Sequence, residues 1–256
     1  MPEGLEVEIW RRAATPIVGR TITGAHVDRT VVPPGFVESV VGEDVTAVRR
    51  AGKILLIDTT GPTIGLHFGM TGRLVVDGIA PIERLEYASG RDDPSWDRVV
   101  IVGDDRPTPM LRLNDPRRLG RASLDEDVGG LGVDFTAVTP RRLAAALAGR
   151  RAAIKSVLLD QHVVAGLGNL CADEVLWWAG IDPHRGAATL GPEEIELLAR
   201  TIRRRLPSML RAGGSHTGTL SPAVRSACPP CPRDGHPLRR DRLGGRTAVW
   251  CPGHQH

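Results

Sequence analysis

The chain has 256 residues, enough for one large domain or two small ones around a sizeable core. Hydrophobic residues at 41% and charged residues at 25% exclude a disordered, collagen-like or membrane-spanning chain. The 33 Lys and Arg against 30 Asp and Glu leave a net charge of only +3, and 4% aromatics argue against an extended base-stacking platform for single strands. Only Lys53 and Lys155 are lysines, so the two positions stand out in an arginine-rich chain.

The N-terminal run Met1-Pro2-Glu3-Gly4-Leu5-Glu6 lacks the basic-then-apolar order of a signal peptide, and no apolar run has transmembrane length. The expected compartment is a reducing bacterial cytoplasm, with no membrane partner. From Glu3 to about Val18, residues Val7, Ile9, Trp10, Ala13 and Ala14 form one helical stripe. Short β-branched runs follow at Arg20–Ile22, Val45–Val48, Ile54–Asp58, Leu74–Val76, Val99–Val102 and Met110–Leu113, which predicts antiparallel strands in a sandwich or barrel. Gly129-Gly130-Leu131-Gly132 marks a boundary. Beyond it, Arg141–Ala148, Ala153–Leu159, a segment after Asn169 and Glu193–Arg211 carry helical patterns, with Pro140 and Pro192 near helix starts and Thr139 as an N-cap. The expected domains are 1–130, 131–215 and a small tail, 216–256.

Three of the four cysteines lie in that tail. Cys228-Pro-Pro-Cys231 and Cys251-Pro-Gly-His254 place paired thiolate and imidazole donors at two residues' spacing, the pattern of a closed, structural zinc site holding one Zn2+. His236 and His256 are rival fourth ligands. Arg239, Arg240, Arg242 and Arg246 lie between the two pairs and suit phosphate contact. Upstream, Gly166-Leu167-Gly168-Asn169 opens a helix, and backbone N–H groups at such a start make an anion site. The third glycine of a dinucleotide fingerprint is missing, which weakens that reading, and a turn of this kind can equally dock on a DNA phosphate.

In chain order, Met1-Pro2-Glu3-Gly4 with Glu6, Arg49-Arg50-Ala51-Gly52-Lys53, His67-Phe68-Gly69-Met70-Thr71-Gly72-Arg73-Leu74, Asn114-Asp115-Pro116-Arg117-Arg118-Leu119-Gly120, Gly166-Leu167-Gly168-Asn169 with Ala172-Asp173-Glu174, and Gly245-Arg246-Thr247 with Trp250-Cys251 stand along the chain. Together they resemble the formamidopyrimidine-DNA glycosylase / endonuclease VIII family of base-excision repair enzymes. The resemblance implies an α+β fold: an N-terminal antiparallel β-sandwich with an N-terminal helix, a helix–two-turn–helix domain and a zinc-finger β-hairpin, with double-stranded damaged DNA bound between domains by a monomer.

The resemblance also implies roles. Pro2, exposed once Met1 is removed, is the amine nucleophile, Glu3 the general acid and proton shuttle, Glu6 a carboxylate that orients the amine or caps the first helix, and Lys53 a catalytic and phosphate-contacting lysine. Asn169 and Arg246 pinch the backbone around an extruded nucleotide, Met70, Arg117 and Leu119 fill the gap it leaves, and His67 contacts DNA. Leu5, Leu119 and His254 depart from the family's usual proline, phenylalanine and cysteine. Ser215–Ala227 is short where the 8-oxoguanine-processing branch has a long capping loop, so the lesion stays open between oxidised pyrimidines, ring-opened purines, 8-oxoguanine and abasic sites. The alternative reading is a non-catalytic, zinc-containing damage-binding protein of the same fold. A zinc hydrolase is disfavoured because the ligand set is closed.

Overall fold

In the computed structural model, residues 2–82, 85, 90–103 and 108–256 are described. The spacing of Val7, Trp10 and Ala14 puts them on one face of helix α1 (Gly4–Ala14), where all three are fully buried. The helical stripe expected to run to about Val18 gives way at Thr15–Ile17 to a 3-10 turn, because Pro16 cannot continue the α-helical bonding. After it come β1 (Ile22–Val27), the short α2 (Phe36–Val40), β2 (Val45–Ala51), β3 (Ile54–Thr59), β4 (Ile64–His67), β5 (Arg73–Val76), β6 (Asp97–Gly103), β7 (Leu111–Asn114) and β8 (Arg121–Leu124). By contacts the chain divides into two units, the first holding Pro2 and residues 6–129.

The strands of the first unit form two four-stranded antiparallel sheets, ordered β1-β6-β7-β5 and β2-β3-β4-β8. Their inward residues, among them Ile22, Val99, Leu111 and Leu74 from one sheet and Leu55, Ile57, Ile64 and Leu66 from the other, share one core. This is the expected antiparallel sandwich. Trp10 of α1 closes the core against Phe68, ring centroids 4.1 Å apart. β4 and β8 were not among the expected strands. Ile64, Gly65 and Leu66 are buried on both faces and show no alternation, and β8 consists of Arg-Ala-Ser-Leu with little β-branching.

The second unit holds residues 3–5 and 130–256. It contains β9 (Val133–Asp134), α3 (Pro140–Leu147), α4 (Ile154–Leu159), β10 (Val164–Ala165), α5 (Asn169–Ala179), α6 (Pro192–Ala212), α7 (Pro222–Ala227) and the hairpin β11 (Arg239–Leu243) and β12 (Arg246–Trp250). As expected, Thr139 caps α3 by accepting the Arg142 N–H, and Pro192 opens α6. Helix α7 was not expected. It is short, and Ser221 supplies its cap. Leu143, Ile154, Leu158, Val175, Leu176 and Ile202 build the helical core, and a separate small cluster of Trp177, Leu220, Leu238 and Val249 backs the hairpin.

The hairpin is also pinned by charge. Lys155 and Asp173 are wholly buried, with Lys155 Nζ 2.7 Å from Asp173 Oδ1, and Arg225 bonds the other carboxylate oxygen. Lys155 and Arg225 both donate to the Thr247 carbonyl, at 2.5 and 3.0 Å, while the Val249 N–H donates to Asp173 at 3.0 Å. Burial pushes the Lys155 ammonium below its ordinary value, and Asp173 opposes that shift. Asp173 thus neutralises two cations and carries strand β12. Asp173→Asn is expected to cost roughly 3–5 kcal/mol in urea unfolding, because it leaves two buried cations facing one another. A cost under about 1 kcal/mol, the range of an exposed pair, would contradict the assignment.

Candidate active site and nucleic-acid interface

Glu3 shows how the site is built in the second unit. Its side chain is 2% exposed, and its carboxylate accepts the N–H groups of Gly168 at 2.9 Å, Leu170 at 2.7 Å and Cys171 at 3.1 Å. Those groups head α5 and have no acceptor within the helix, so an anion there meets both unsatisfied donors and the positive end of the helix dipole. The expected anion site at Gly166–Asn169 is therefore occupied from within the chain by Glu3. Gly168 must be glycine, since a Cβ would lie 2.3 Å from the Glu3 carboxyl carbon. The Gly4 N–H donates to the Gly166 carbonyl at 2.8 Å and fixes the next residue as well.

Asn169 is the first residue of α5, and its Oδ1 is buried with no hydrogen-bond partner among the described residues. Arg246 opens β12 and is exposed, as are Arg239, Arg240 and Arg242 of β11.

The tail gathers Cys231, Asp234, Cys251 and His254, whose donor atoms all lie within 4.8 Å of one another. Cys228, expected from the paired spacing, is not a member of this group. It ends α7 in a left-handed conformation, φ 44°, and its Sγ points to the Arg225 carbonyl at 3.5 Å. Asp234 stands in the group instead, and Cys231–Asp234 is itself a pair with two intervening residues. That turn is closed by Gly235 N–H to the Cys231 carbonyl at 2.8 Å and Cys231 N–H to the His236 carbonyl at 2.7 Å. The second pair, Cys251 and His254, is closed by Gln255 N–H to the Cys251 carbonyl at 3.1 Å. His254 Nδ1 lies 3.7 Å from Cys231 Sγ and 2.9 Å from Asp234, and Cys251 Sγ lies 3.3 Å from Asp234. Such separations suit a tetrahedral ion with bonds of about 2.0–2.3 Å, and the S, N and O donors fit Zn2+. His254 Nε2 faces the Trp177 carbonyl at 3.2 Å, which orients the ring. The rivals stay outside: His236 lies beside Asp234 at 3.6 Å, and the His256 carbonyl accepts from Asp182 and Arg185.

In the first unit, Pro2 and Glu6 are buried at the start of α1, and Met1 lies outside the described residues. Lys53 sits at the turn between β2 and β3. Arg50 ties that turn to α1, through Glu8 at 3.4 Å and the Gly52 carbonyl at 2.9 Å. Burial alone would raise the Glu8 carboxyl, but hydrogen bonds from Arg11 and Arg12 and the charges of Arg11 and Arg50 hold it below its ordinary value. His67 ends β4 and accepts the Gly69 N–H at Nδ1, 3.1 Å. Burial, then Arg121 and Lys53, depress its pKa, and with Nδ1 accepting from Gly69 the Nε2 is left to carry the ring proton. Met70 is half-buried, whereas Arg117 and Leu119 are exposed, Leu119 to 44%. Arg118 is paired to Asp28 at 2.9 Å, while Arg117 has no ion pair among the described residues.

Residues 1–122 match the formamidopyrimidine-DNA glycosylase N-terminal domain, and residues 130–221 match the formamidopyrimidine-DNA glycosylase H2TH domain. The chain belongs to the formamidopyrimidine-DNA glycosylase family. The formamidopyrimidine-DNA glycosylase of Geobacter metallireducens is 33% identical over 280 residues, covering 98% of each chain, and that of Chloroflexus aurantiacus is 35% identical over 276 residues, covering 98% of this chain and 96% of its own. Among solved structures, the MutM (Fpg) protein of Thermus thermophilus superposes with a TM-score of 0.81 at 27% identity, covering 99% of this chain and 98% of that one. Lactococcus lactis Fpg in complex with abasic-site DNA gives 0.81 at 25% identity, covering 99% of each. No helix among the described residues is long and apolar enough to cross a membrane.

Asp234 and Glu8 were not singled out in the sequence, and Asp115 and Arg50 stood in the quoted motifs without a role. For this member of the glycosylase family, the spacing of Cys231 and Asp234 was the available signal, masked by the neighbouring thiol of Cys228. Asp234→Ala is expected to weaken Zn2+ binding by on the order of tenfold or more in competition with a chromophoric chelator, and Cys228→Ser to leave it unchanged. The reverse pattern would restore Cys228 to the ligand set.

Proposed function

We propose that this chain excises oxidised or ring-opened bases from double-stranded DNA and then cleaves the strand at the resulting abasic site. DNA glycosylase activity on damaged bases goes with the family, and the lyase step is the further part of the proposal. The observation that carries it is the Pro2-Glu3 pair, with the Glu3 carboxylate seated on the N-terminus of α5. A binder of damaged DNA has no need of an amine next to so firmly placed a carboxylate.

With Met1 removed, the Pro2 nitrogen is a secondary amine. Unperturbed α-amino groups titrate near ~7.7–8.0, so a useful fraction is neutral and nucleophilic at physiological pH. Its lone pair attacks C1′ of the damaged nucleotide, and the C1′–base bond breaks with a proton delivered to the leaving base. Glu3 handles protons at the sugar ring oxygen as the ring opens, giving an iminium between Pro2 and C1′. The iminium acidifies the C2′–H, and loss of that proton expels the 3′ phosphate. Glu6 orients the amine, and Lys53 contacts the phosphate. Asn169 and Arg246 grip the backbone, His67 adds a contact through Nε2–H, and Met70, Arg117 and Leu119 occupy the gap left by the extruded nucleotide.

One Zn2+ on Cys231, Asp234, Cys251 and His254 would hold the hairpin that presents Arg246, with no part in bond making. The arginines of this hairpin make binding strongly salt-dependent. Ser215–Ala227 is folded back tightly. The Thr219 and Leu220 N–H groups donate to buried Glu174 at 3.0 and 2.9 Å, and Arg205 pairs with it at 3.1 Å. So short and fastened a segment supports substrates other than 8-oxoguanine. One of the Lactococcus lactis structures holds DNA containing an oxidised pyrimidine, which makes that lesion class a natural probe.

Borohydride trapping on duplexes bearing an abasic site, 5-hydroxycytosine, 8-oxoguanine or formamidopyrimidine tests the reading. A covalent adduct is expected, lowered about a hundredfold or more by Pro2→Gly and, on base lesions, by Glu3→Gln. Tight binding with no adduct on any duplex would leave the damage-binding reading instead.

A further inference from the structure

Asp115 is wholly buried, 0% exposed, at the base of the 115–120 loop in the first unit. Its Oδ2 accepts the N–H groups of Leu119 and Gly120, both at 2.7 Å. Its Oδ1 accepts the Arg117 N–H at 3.1 Å and the Thr71 hydroxyl. The backbone of Asp115 is held too: its N–H donates to the Trp96 carbonyl at 2.8 Å, and its carbonyl accepts Arg98 Nε at 2.7 Å.

Thr71 follows Met70 in the chain, so one carboxylate fastens the Met70 turn to the tip that carries Arg117 and Leu119. The two segments also touch backbone to backbone. Gly69 has φ +57°, and a Cβ there would lie 2.4 Å from the carbonyl carbon and oxygen of Leu119. Behind the tip, Asp28 holds Arg118 at 2.9 Å and Arg98 at 3.6 Å. Three side chains on two segments are thereby presented together from a rigid base.

We propose that Asp115 is the positioning residue for gap filling: it touches no DNA, and it sets Met70, Arg117 and Leu119 in the one arrangement that enters a base-sized vacancy. The inference rests on the reading that these three side chains fill that vacancy. A carboxylate suits the task because its two oxygens accept from four converging donors. An amide of the same shape would turn an NH2 toward either the Leu119 and Gly120 N–H groups or the Arg117 N–H and Thr71 hydroxyl, and would open the loop on that side. Misplacement by about 1 Å is enough to lose a factor of up to a hundred in a step that depends on registered contacts.

The test compares borohydride trapping rates on two probes, an abasic site in a duplex and the same abasic-site strand alone, where no partner base is orphaned. Asp115→Asn is expected to slow trapping on the duplex roughly tenfold to a hundredfold and to leave the single strand unchanged. Thr71→Val, which removes one hydroxyl, is expected to act in the same direction and decides the matter by the same ratio if Asp115→Asn does not fold. Equal slowing on both probes would make Asp115 merely structural and overturn the proposal, as would an unchanged duplex rate. Failure of the unsubstituted protein to trap either probe would instead count against the lyase reading.

Discussion

Everything proposed for the reaction depends on one charge–dipole interaction, the Glu3 carboxylate on the N–H groups of Gly168, Leu170 and Cys171. A chain terminus is ordinarily its least ordered part. Here the third residue is pinned in a buried, hydrogen-bonded site, and its covalent neighbour Pro2 inherits that order. The amine proposed as nucleophile then needs no substrate-induced folding of the terminus, and the cost of ordering it has been met by the fold. The glycine at 168 is the other half of the arrangement, since any side chain there would displace the carboxylate.

The same device recurs. Asp115 collects the N–H groups of Arg117, Leu119 and Gly120, Asp173 that of Val249, and Glu174 those of Thr219 and Leu220. In each case a buried carboxylate organises an irregular or edge segment. Backbone groups in such segments lack ladder partners, and a buried acceptor with two oxygens satisfies several at once. The arginine-rich, lysine-poor composition adds planar donors that complete these acceptors, as Arg225 does at Asp173 and Arg205 at Glu174. The near-neutral net charge of the chain thus conceals cations held in pairs inside and cations left free on the hairpin.

Much of this was legible in the sequence, for reasons that differ by element. The stripe Val7, Trp10 and Ala14 declared α1, and β-branched runs declared most strands, because periodicity reports burial directly. β4 and β8 escaped because one is buried on both faces and the other lacks β-branched residues. The motifs located Glu3, Asn169 and Met70 but not their partners, since Glu3 meets Gly168 across 165 residues and Thr71 meets Asp115 across 44. At the metal site the gathered donors include Asp234, where the paired spacing pointed to Cys228. Spacing alone cannot choose between Cys228 and Asp234, and the choice falls to the turn that Gly235 and His236 close around Cys231.

The most direct measurement of the central claim is amide hydrogen exchange at Leu170 and Cys171, compared between the unsubstituted protein and Glu3→Ala. These N–H groups have no acceptor within α5, so slow exchange there reports the Glu3 carboxylate. The account predicts that both amides are protected and that Glu3→Ala releases them, while Ala172, bonded to the Gly168 carbonyl, stays slow. Protection of Leu170 and Cys171 that survives the loss of Glu3 would contradict it.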